Sequence, residues 1–592
     1  MSARNEPGLF QALRLLYGRL SPERRRAVFP LAGLMLLGAL AELATIGALV
    51  PLLSLMADPN GPRISFLAPL LNLVGGVQSP NAVLVLIGLF AAAAIASAAV
   101  RLLLLWSANT FVGGVAHELS TRSYSDTLHE RYQYHTSRNS SEIIAIVNKT
   151  QLLSSQVLSP LMNGAVALVV ACFIIAGLLL VDPIVALLAG ASFVAIYLTV
   201  SVLIRRRLRS NSVVISRTQS ERIKAMQDGL GGIRDVTLDQ SQSVFVDVFD
   251  RAEARFRAAS VRNSFLSGAP RLLVEAVGMI MIALVAALMS GRPGGLAAAV
   301  PVVGALALGA QRLLPLIQQI YAAWASSVGN KQIVLDVYDL LSHPPARQLA
   351  ERALPFSNAI ELRDVSFAYH LDHPAVIRNV DLVIRKGSRV GLAGKTGSGK
   401  STLADIVLGL LEPGSGVISV DGVPLGDDNR FAWQRNVAHV PQAIYLADAT
   451  IAENIAFGVP SARIDHARIR RAAEQAELGD VVAALPHGYD TRVGERGIQL
   501  SGGQRQRIGI ARALYKDAQV LVFDEATSAL DTTTEAAVMA AIDRLDSGLT
   551  IVIIAHRLST LDACDTVVWL EAGRVREIED RTLATPAALE GR

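Results

Sequence analysis

The chain has 592 residues, of which 51 % are hydrophobic and 18 % charged, with a mean hydropathy of +0.40. The length exceeds one ordinary domain, and a net charge of +4 is too small to point to nucleic acid as a partner. The two cysteines, Cys172 in an apolar run and Cys564 in a polar region, exclude a disulfide framework and fit a reducing cytosol for the polar half.

Leu, Ala, Val and Ile dominate to about Trp324, whereas charged and apolar residues alternate after Pro345. The expected organisation is an interfacial segment over 1–28, a membrane-spanning domain over 29–335, a linker over 336–355 and a soluble α/β domain over 356–592. At the start, Leu9, Phe10, Leu13, Leu16 and Tyr17 recur at helical spacing beside Arg14 and Arg19. This pattern predicts a helix lying on the inner leaflet, with a soluble cap helix as the alternative. Glu6 and Glu23 interrupt the opening residues, and no short apolar core with a small-residue cleavage site is present, so a removable signal peptide is not expected.

A helix needs about 20 apolar residues to cross a bilayer. Six segments qualify: Phe29–Leu53, Val83–Trp106, Leu158–Val181, Pro183–Ile204, Leu272–Met289 and Leu296–Trp324. Asp182 and the stretch Ser290–Gly295 make short turns, while Ile64–Val74 reads as a small helix on the outer leaflet. The connections 107–157 and 205–271 are long and polar. Arg24–Arg26 precede the first span and Arg205–Arg209 follow the fourth, so the positive-inside rule places those connections, the N-terminus and the soluble half in the cytosol. Ala225–Asp235 and Val244–Arg257 keep helical spacing, as spans continuing into the cytosol would.

Charges inside spans are expensive and commonly mark pathways. With a rise of about 1.5 Å per residue, Arg101 lies about 27 Å down the second span, Arg271 about 27 Å down the fifth and Arg312 about 24 Å down the sixth. All three then fall in the inner half of the membrane, and Glu42, about 20 Å up the first span, lies nearer the outer leaflet. Arg271 has Glu275 one turn on as an internal partner, and Arg101 can snorkel. Arg312 has no acid in the adjoining turns, leaving Glu42 or Glu275 of another helix as candidates. The sharper expectation is that Arg101, Arg271 and Arg312 line an inward-facing cavity and bind phosphate through guanidinium forks. Pro315 gives the sixth span a place to bend.

In the soluble half, Gly394–Lys395–Thr396–Gly397–Ser398–Gly399–Lys400–Ser401 follows the apolar run Val390–Ala393 and precedes the helical pattern Thr402–Leu411. This is a phosphate-binding loop in its strand–loop–helix context. Its backbone N–H groups converge on phosphate, Lys400 supplies charge, and the Ser401 hydroxyl can ligate Mg²⁺. The run Val520–Phe523 ends in Asp524 and Glu525, which places Asp524 to hold the metal and Glu525 to orient the attacking water.

Leu500–Ser501–Gly502–Gly503–Gln504 resembles the signature of ATP-binding cassette (ABC) proteins, and the resemblance extends over the soluble half. It implies that ATP and Mg²⁺ are cofactors, that the loop through Thr402 binds nucleotide, and that Tyr369 stacks on adenine. It also implies that Gln442 senses Mg²⁺ and meets the membrane domain, that Asp531 in Ser528–Asp531 joins two nucleotide domains, and that His556 is the γ-phosphate switch. Thr491–Gly497 resembles the segment that exporters use to contact their cytoplasmic loops, with Arg492 departing from the usual residue. No catalytic position is degenerate, so the resemblance implies a homodimer in which Ser501–Gly503 of one chain close on the loop of the other.

Six spans followed by the cassette are similar to ABC exporters: an α-helical six-span domain plus an α/β P-loop nucleotide-binding domain. Ala41–Glu42–Leu43, Gly47 and Pro51, with the short external helix and the basic sixth span, resemble lipid-linked oligosaccharide flippases. The expected function is ATP-driven movement of a phosphate-bearing, lipid-linked saccharide or glycolipid outward across the cell membrane. A multidrug exporter is the alternative, against which an aromatic content of 5 % counts. A non-transport ABC ATPase that remodels complexes is opposed by the six spans.

Overall fold

Each apolar stretch lies in a long helix of the structure, a computed structural model that describes residues 8–57, 81–181, 183–290, 295–342, 352–370, 373–524, 535–536, 540, 548–555 and 561–581. The helices are Val28–Ala57, Asn81–Leu128, Ser159–Val181, Pro183–Gly231, Gln242–Ser290 and Gly295–Gly329. The second, fourth and fifth reach 48 or 49 residues, far more than a bilayer requires, so they extend as helix into the polar connections, which are interrupted after Leu128 and between Gly231 and Gln242. The external helix expected at Ile64–Val74, the turn residue Asp182 and residues 291–294 lie outside the described residues.

The chain divides into two units: Met1–His129 with Arg138–Pro345, and Glu130–Ser137 with Ala346–Arg592. In the first, small residues let helices approach closely. A side chain at Gly164 would stand 2.5 Å from the Ala323 methyl, and one at Gly177 would stand 2.7 Å from Leu43. Gly38 faces Val100 and Leu104 across the first two spans. Polar hooks set the register of the fifth and sixth: Gln318 donates to the Ser267 carbonyl at 2.9 Å and Tyr321 to the Leu266 carbonyl at 3.0 Å. Asn263 accepts from Asn211 at 2.9 Å and donates to the Gly329 carbonyl at 3.0 Å, joining three helices through one buried amide.

The N-terminal helix Leu9–Arg19 has two apolar sides. Ala12 and Leu16 are buried in a cluster with Val115, Leu119, Ile333, Val334 and Val337, whereas Phe10, Leu15 and Tyr17 are exposed. The helix therefore packs as a cap and still presents the apolar residues that an interfacial helix needs.

The second unit contains a four-stranded antiparallel sheet, β2-β1-β4-β5, and a six-stranded sheet, β10-β9-β3-β8-β7-β6. The first comprises β1 (Ala359–Phe367), β2 (Ile377–Arg385), β4 (Ser415–Val420) and β5 (Val423–Pro424). The second comprises β3 (Arg389–Ala393), β6 (Val437–Val440), β7 (Val520–Asp524), β8 (Thr550–Ile554), β9 (Thr566–Glu571) and β10 (Arg574–Asp580). Strands β3, β8, β7 and β6 run parallel and are almost continuously apolar, as strands buried on both faces are. Trp433 anchors the core between the sheets, donating from Nε1 to the Val407 carbonyl at 2.8 Å. Helix Tyr132–Ser137 belongs to this unit, where Arg131 pairs with Glu412 at 2.9 Å and Asp427 at 2.6 Å.

Candidate nucleotide site and intramembrane charge cluster

The register of the parallel strands gathers the polar residues at one sheet edge. Phe523 faces Val440, and Asp524 faces Ile554, so Asp524 and the segments following Val440 and Ile554 share the carboxyl ends of adjacent strands, where such sheets bind ligands. Gln442 lies two residues beyond β6 and is exposed. Glu525, Asp531 and His556 lie outside the described residues.

The loop after β3 is built on glycine. Gly394, Gly397 and Gly399 have φ of 142°, 81° and 103°, a region L side chains avoid. A side chain at Gly394 would meet the Leu570 carbonyl oxygen at 2.3 Å. Lys400 opens the helix Lys400–Val407 and folds over the loop, donating to the carbonyls of Gly394 at 2.8 Å and Lys395 at 3.0 Å. The Ser398 hydroxyl is buried without a partner among the described residues, and the Ser398 amide donates to Lys395 at 3.1 Å. A glycine cradle, a buried ammonium and an orphaned hydroxyl fit a bound phosphate chain.

The metal side is acidic. Burial first, and the Asp524 charge second, push the Asp405 carboxyl up to about 6. His439, on β6, is held below the usual histidine value by burial, against the pull of Asp524. Asp405 and Asp524 therefore lie within electrostatic reach of each other, and carboxylates, with the hydroxyl of Ser401 in the adjoining loop, are the hard oxygen donors that Mg²⁺ takes. Tyr369 packs edge-on against Phe367, with centroids 5.0 Å apart, and its hydroxyl lies 3.2 Å from Thr402 Oγ1. Tyr369 remains 37 % exposed, and an accessible aromatic ring fits stacking on a base. Asp405 and His439 were missed from sequence because neither belongs to a motif.

Ser501 caps the helix Gly502–Lys516 in a reciprocal capping box: Gln504 N donates to Ser501 Oγ at 3.2 Å and Ser501 N to Gln504 Oε1 at 2.9 Å. The cap leaves Ser501 exposed at a positive helix end, and it engages the Gln504 side-chain carbonyl in structure. Thr491–Val493 pair with Ala449–Ile451. There Glu453 is held below the usual carboxylate range by hydrogen bonds from Thr450 and Ser461, with the Arg492 charge a further cause. The unusual arginine therefore sits where it complements an acid.

In the membrane unit, Glu42 sits between Arg101 and Arg312. Its Oε1 accepts from Arg312, and its Oε2 lies 3.3 Å from Arg101 and accepts from Ser97 at 3.2 Å. The three charges therefore lie at one level, and Glu42 is not set nearer the outer leaflet than the arginines. Counting from segment ends fails here because it takes the ends of all apolar segments to lie in common planes, whereas the first and second helices run past their segments, to Ala57 and to Leu128. Arg271 pairs with Glu275 on its own helix at 2.8 Å. The antiparallel register set by Gln318 and Tyr321 places Arg271 about one turn (~5 Å) from the Arg312 level. The structure thus brings Arg101 and Arg312 together on one acid and gives Arg271 a separate partner. Ser97, one hydroxyl in an alanine-rich span, carries no signal in the sequence.

Residues 377–528 match the ABC transporter family, and residues 53–291 match the ABC transporter transmembrane region. An ATP-dependent lipid A-core flippase of Pectobacterium atrosepticum is 33 % identical over 392 residues, covering 65 % of this chain and 67 % of that one. The chain belongs to the ABC transporter family. Among curated relatives, the ATP-dependent lipid A-core flippase of Burkholderia orbicola is 35 % identical over 382 residues, 63 % of each chain. That of Saccharophagus degradans is 44 % identical over 244 residues, 41 % of each. The match thus spans somewhat under two thirds of the first of these, 63 % of its length. A solved bacterial Atm1-family ABC exporter with ATP bound shares the fold, with a TM-score of 0.78 over 94 % of this chain and 95 % of that one at 24 % identity. The protein is a multi-pass membrane protein with the ABC exporter fold.

Proposed function

We propose that the chain is one half of an ATP-driven exporter that moves a phosphate-bearing glycolipid or lipid-linked saccharide from the cytoplasmic leaflet outward. The observation that carries the cargo class is the meeting of Arg101 and Arg312 on Glu42, with side chains 56 % and 43 % exposed. Two half-open guanidinium forks within a spanning region suit an oxyanion and repel cationic amphiphiles. Curated relatives named as lipid A-core flippases support a lipid cargo, and the ABC exporter fold supports outward movement.

Residue roles follow from chemistry. Lys400 and the loop amides of Gly394–Ser401 would hold the β- and γ-phosphates, and Ser401, Asp524 and Gln442 would hold Mg²⁺, which would supply positive charge against the phosphate oxygens. Glu525 orients the water, and His556 contacts the γ-phosphate. Tyr369 stacks on adenine. Ser501–Gly503 of a second copy close the site with a helix N-terminus, and Asp531 joins the two sites, so the working unit is a homodimer in the inner or plasma membrane with its nucleotide domains in the cytosol.

The test is reconstitution in liposomes with a leaflet-specific label on a lipid-linked saccharide. ATP-dependent loss of the label is expected, with Glu525→Gln as the inactive control. Arg312→Ala should abolish the stimulation of ATP hydrolysis by that lipid. Unchanged stimulation would sink the cargo assignment, and stimulation by cationic amphiphiles alone would point to a multidrug exporter.

A further inference from the structure

We infer that Glu42 is a specificity-determining and positioning residue that sets how much negative charge the Arg101–Arg312 pair accepts. The inference rests on the cargo class proposed above. Its basis is the way the carboxylate is used. The Glu42 side chain is 4 % exposed, and both of its oxygens are occupied. Oε1 takes Arg312, and Oε2 takes Arg101 and the Ser97 hydroxyl. One acid thus ties the first, second and sixth spans together and holds two guanidiniums side by side.

A guanidinium carries five N–H donors in a fixed fork. Each arginine engages Glu42 through one nitrogen and keeps its outer edge open. Among the described residues, Arg101 and Arg312 form ion pairs with Glu42 alone, so two cations against one anion leave a formal residue of one positive charge. Where water is scarce, that residue governs the ligand. An anion whose charge exceeds it leaves uncompensated negative charge, and an undercharged one leaves uncompensated arginine, each unfavourable in a low dielectric. Purely structural neutralisation of Arg312 would use the same contacts but would make no distinction between ligand charges.

The experiment measures lipid-stimulated ATP hydrolysis by the full chain in liposomes. The two probe lipids share a polyprenyl tail and one sugar, one linked through a phosphodiester with one charge and one through a pyrophosphate with two. The readout is the ratio of the two KM values, together with the maximal stimulations. Glu42→Gln keeps the shape, removes the negative charge, and should shift the ratio toward the pyrophosphate by about tenfold or more. Glu42→Asp should keep the wild-type preference. Arg101→Gln should shift the ratio toward the phosphodiester, and the double variant Glu42→Gln/Arg101→Gln, which restores the residual charge, should return it to near wild type. The Arg101→Gln arm reads the same quantity if Glu42→Gln does not fold. An unchanged ratio in Glu42→Gln, or a double variant that behaves as either single variant does, overturns the inference. If wild type responds to neither lipid, the cargo class itself fails. If wild type responds and Arg312→Ala does not, while the ratio ignores Glu42, only the role of Glu42 fails.

Discussion

Lys149 donates from Nζ to Asp336 Oδ2 at 2.6 Å, and the Ser216 hydroxyl reaches the same oxygen at 2.5 Å. Three helices meet at this pair: Ser140–Leu153, Pro183–Gly231 and Lys331–Ser342. Because Lys149 is 6 % exposed at its side chain, removing its partner strands a buried ammonium. Asp336→Ala should destabilise the membrane unit by about 3–5 kcal/mol, read as a fall in the Tm of detergent-purified protein. Lys149→Met/Asp336→Leu should recover most of that loss, because an apolar pair replaces a desolvated ionic one. Equal Tm values for Asp336→Ala and wild type would mean that water reaches the pair freely.

The phosphate loop offers a second prediction. Lys400 is folded onto the carbonyls of Gly394 and Lys395, so its charge sits inside the loop before nucleotide arrives. Lys400→Ala should lower ATP hydrolysis by about 100-fold or more and weaken binding of a fluorescent ATP analogue. The cassette Tm without nucleotide should change little. Retained hydrolysis would show that the loop amides alone carry the phosphates.

Cys564 lies against Gly391, where an added side chain would stand 3.2 Å from its Sγ. Burial foremost pushes this thiol up to about 11 from an ordinary 9.0. Its folded value is raised, so the neutral form is favoured in the native state. The associated stability is complete below about pH 9 and is lost as pH rises toward about 11. A water-soluble maleimide at neutral pH should therefore label Cys564 only after unfolding, scored by mass spectrometry of its peptide. The fall in Tm between pH 9 and 11 should be shallower in Cys564→Ala. Rapid labelling of native protein would contradict its burial.

Arg131 bridges Glu412 and Asp427, which Arg430 also contacts, at 3.0 Å and 3.3 Å. These acids are substantially exposed, so the pairs add little to global stability. Their effect is to seat the segment Glu130–Ser137. Arg131→Glu should leave the Tm nearly unchanged while hydrogen exchange at residues 130–137 rises. Protection equal to wild type would mean that Tyr132 and its neighbours hold the segment without the charge pair.

Much of the protein is written locally. The six spans follow from runs of about 20 apolar residues, and the phosphate loop from glycines, a lysine and a serine whose spacing is itself the site. Asp524 follows likewise, since an acid ending an apolar strand must stand at the carboxyl edge of the sheet. These features need only neighbours in the chain. The partners of the intramembrane charges depend on helix register and on where each helix stops. No count from a segment end supplies either, so Glu42 was set at a different depth from the arginines it binds. Asp405, His439 and Ser97 gain meaning only when separate elements pack side by side. Gln504, the last residue of the signature, also caps its own helix through Ser501. The sequence by itself determined the class of protein and the position of its phosphate loop, because those rest on hydropathy and on short-range backbone geometry. Only the tertiary structure decided that Arg101 and Arg312 share one buried carboxylate, because the net charge of a site is set by which side chains converge there.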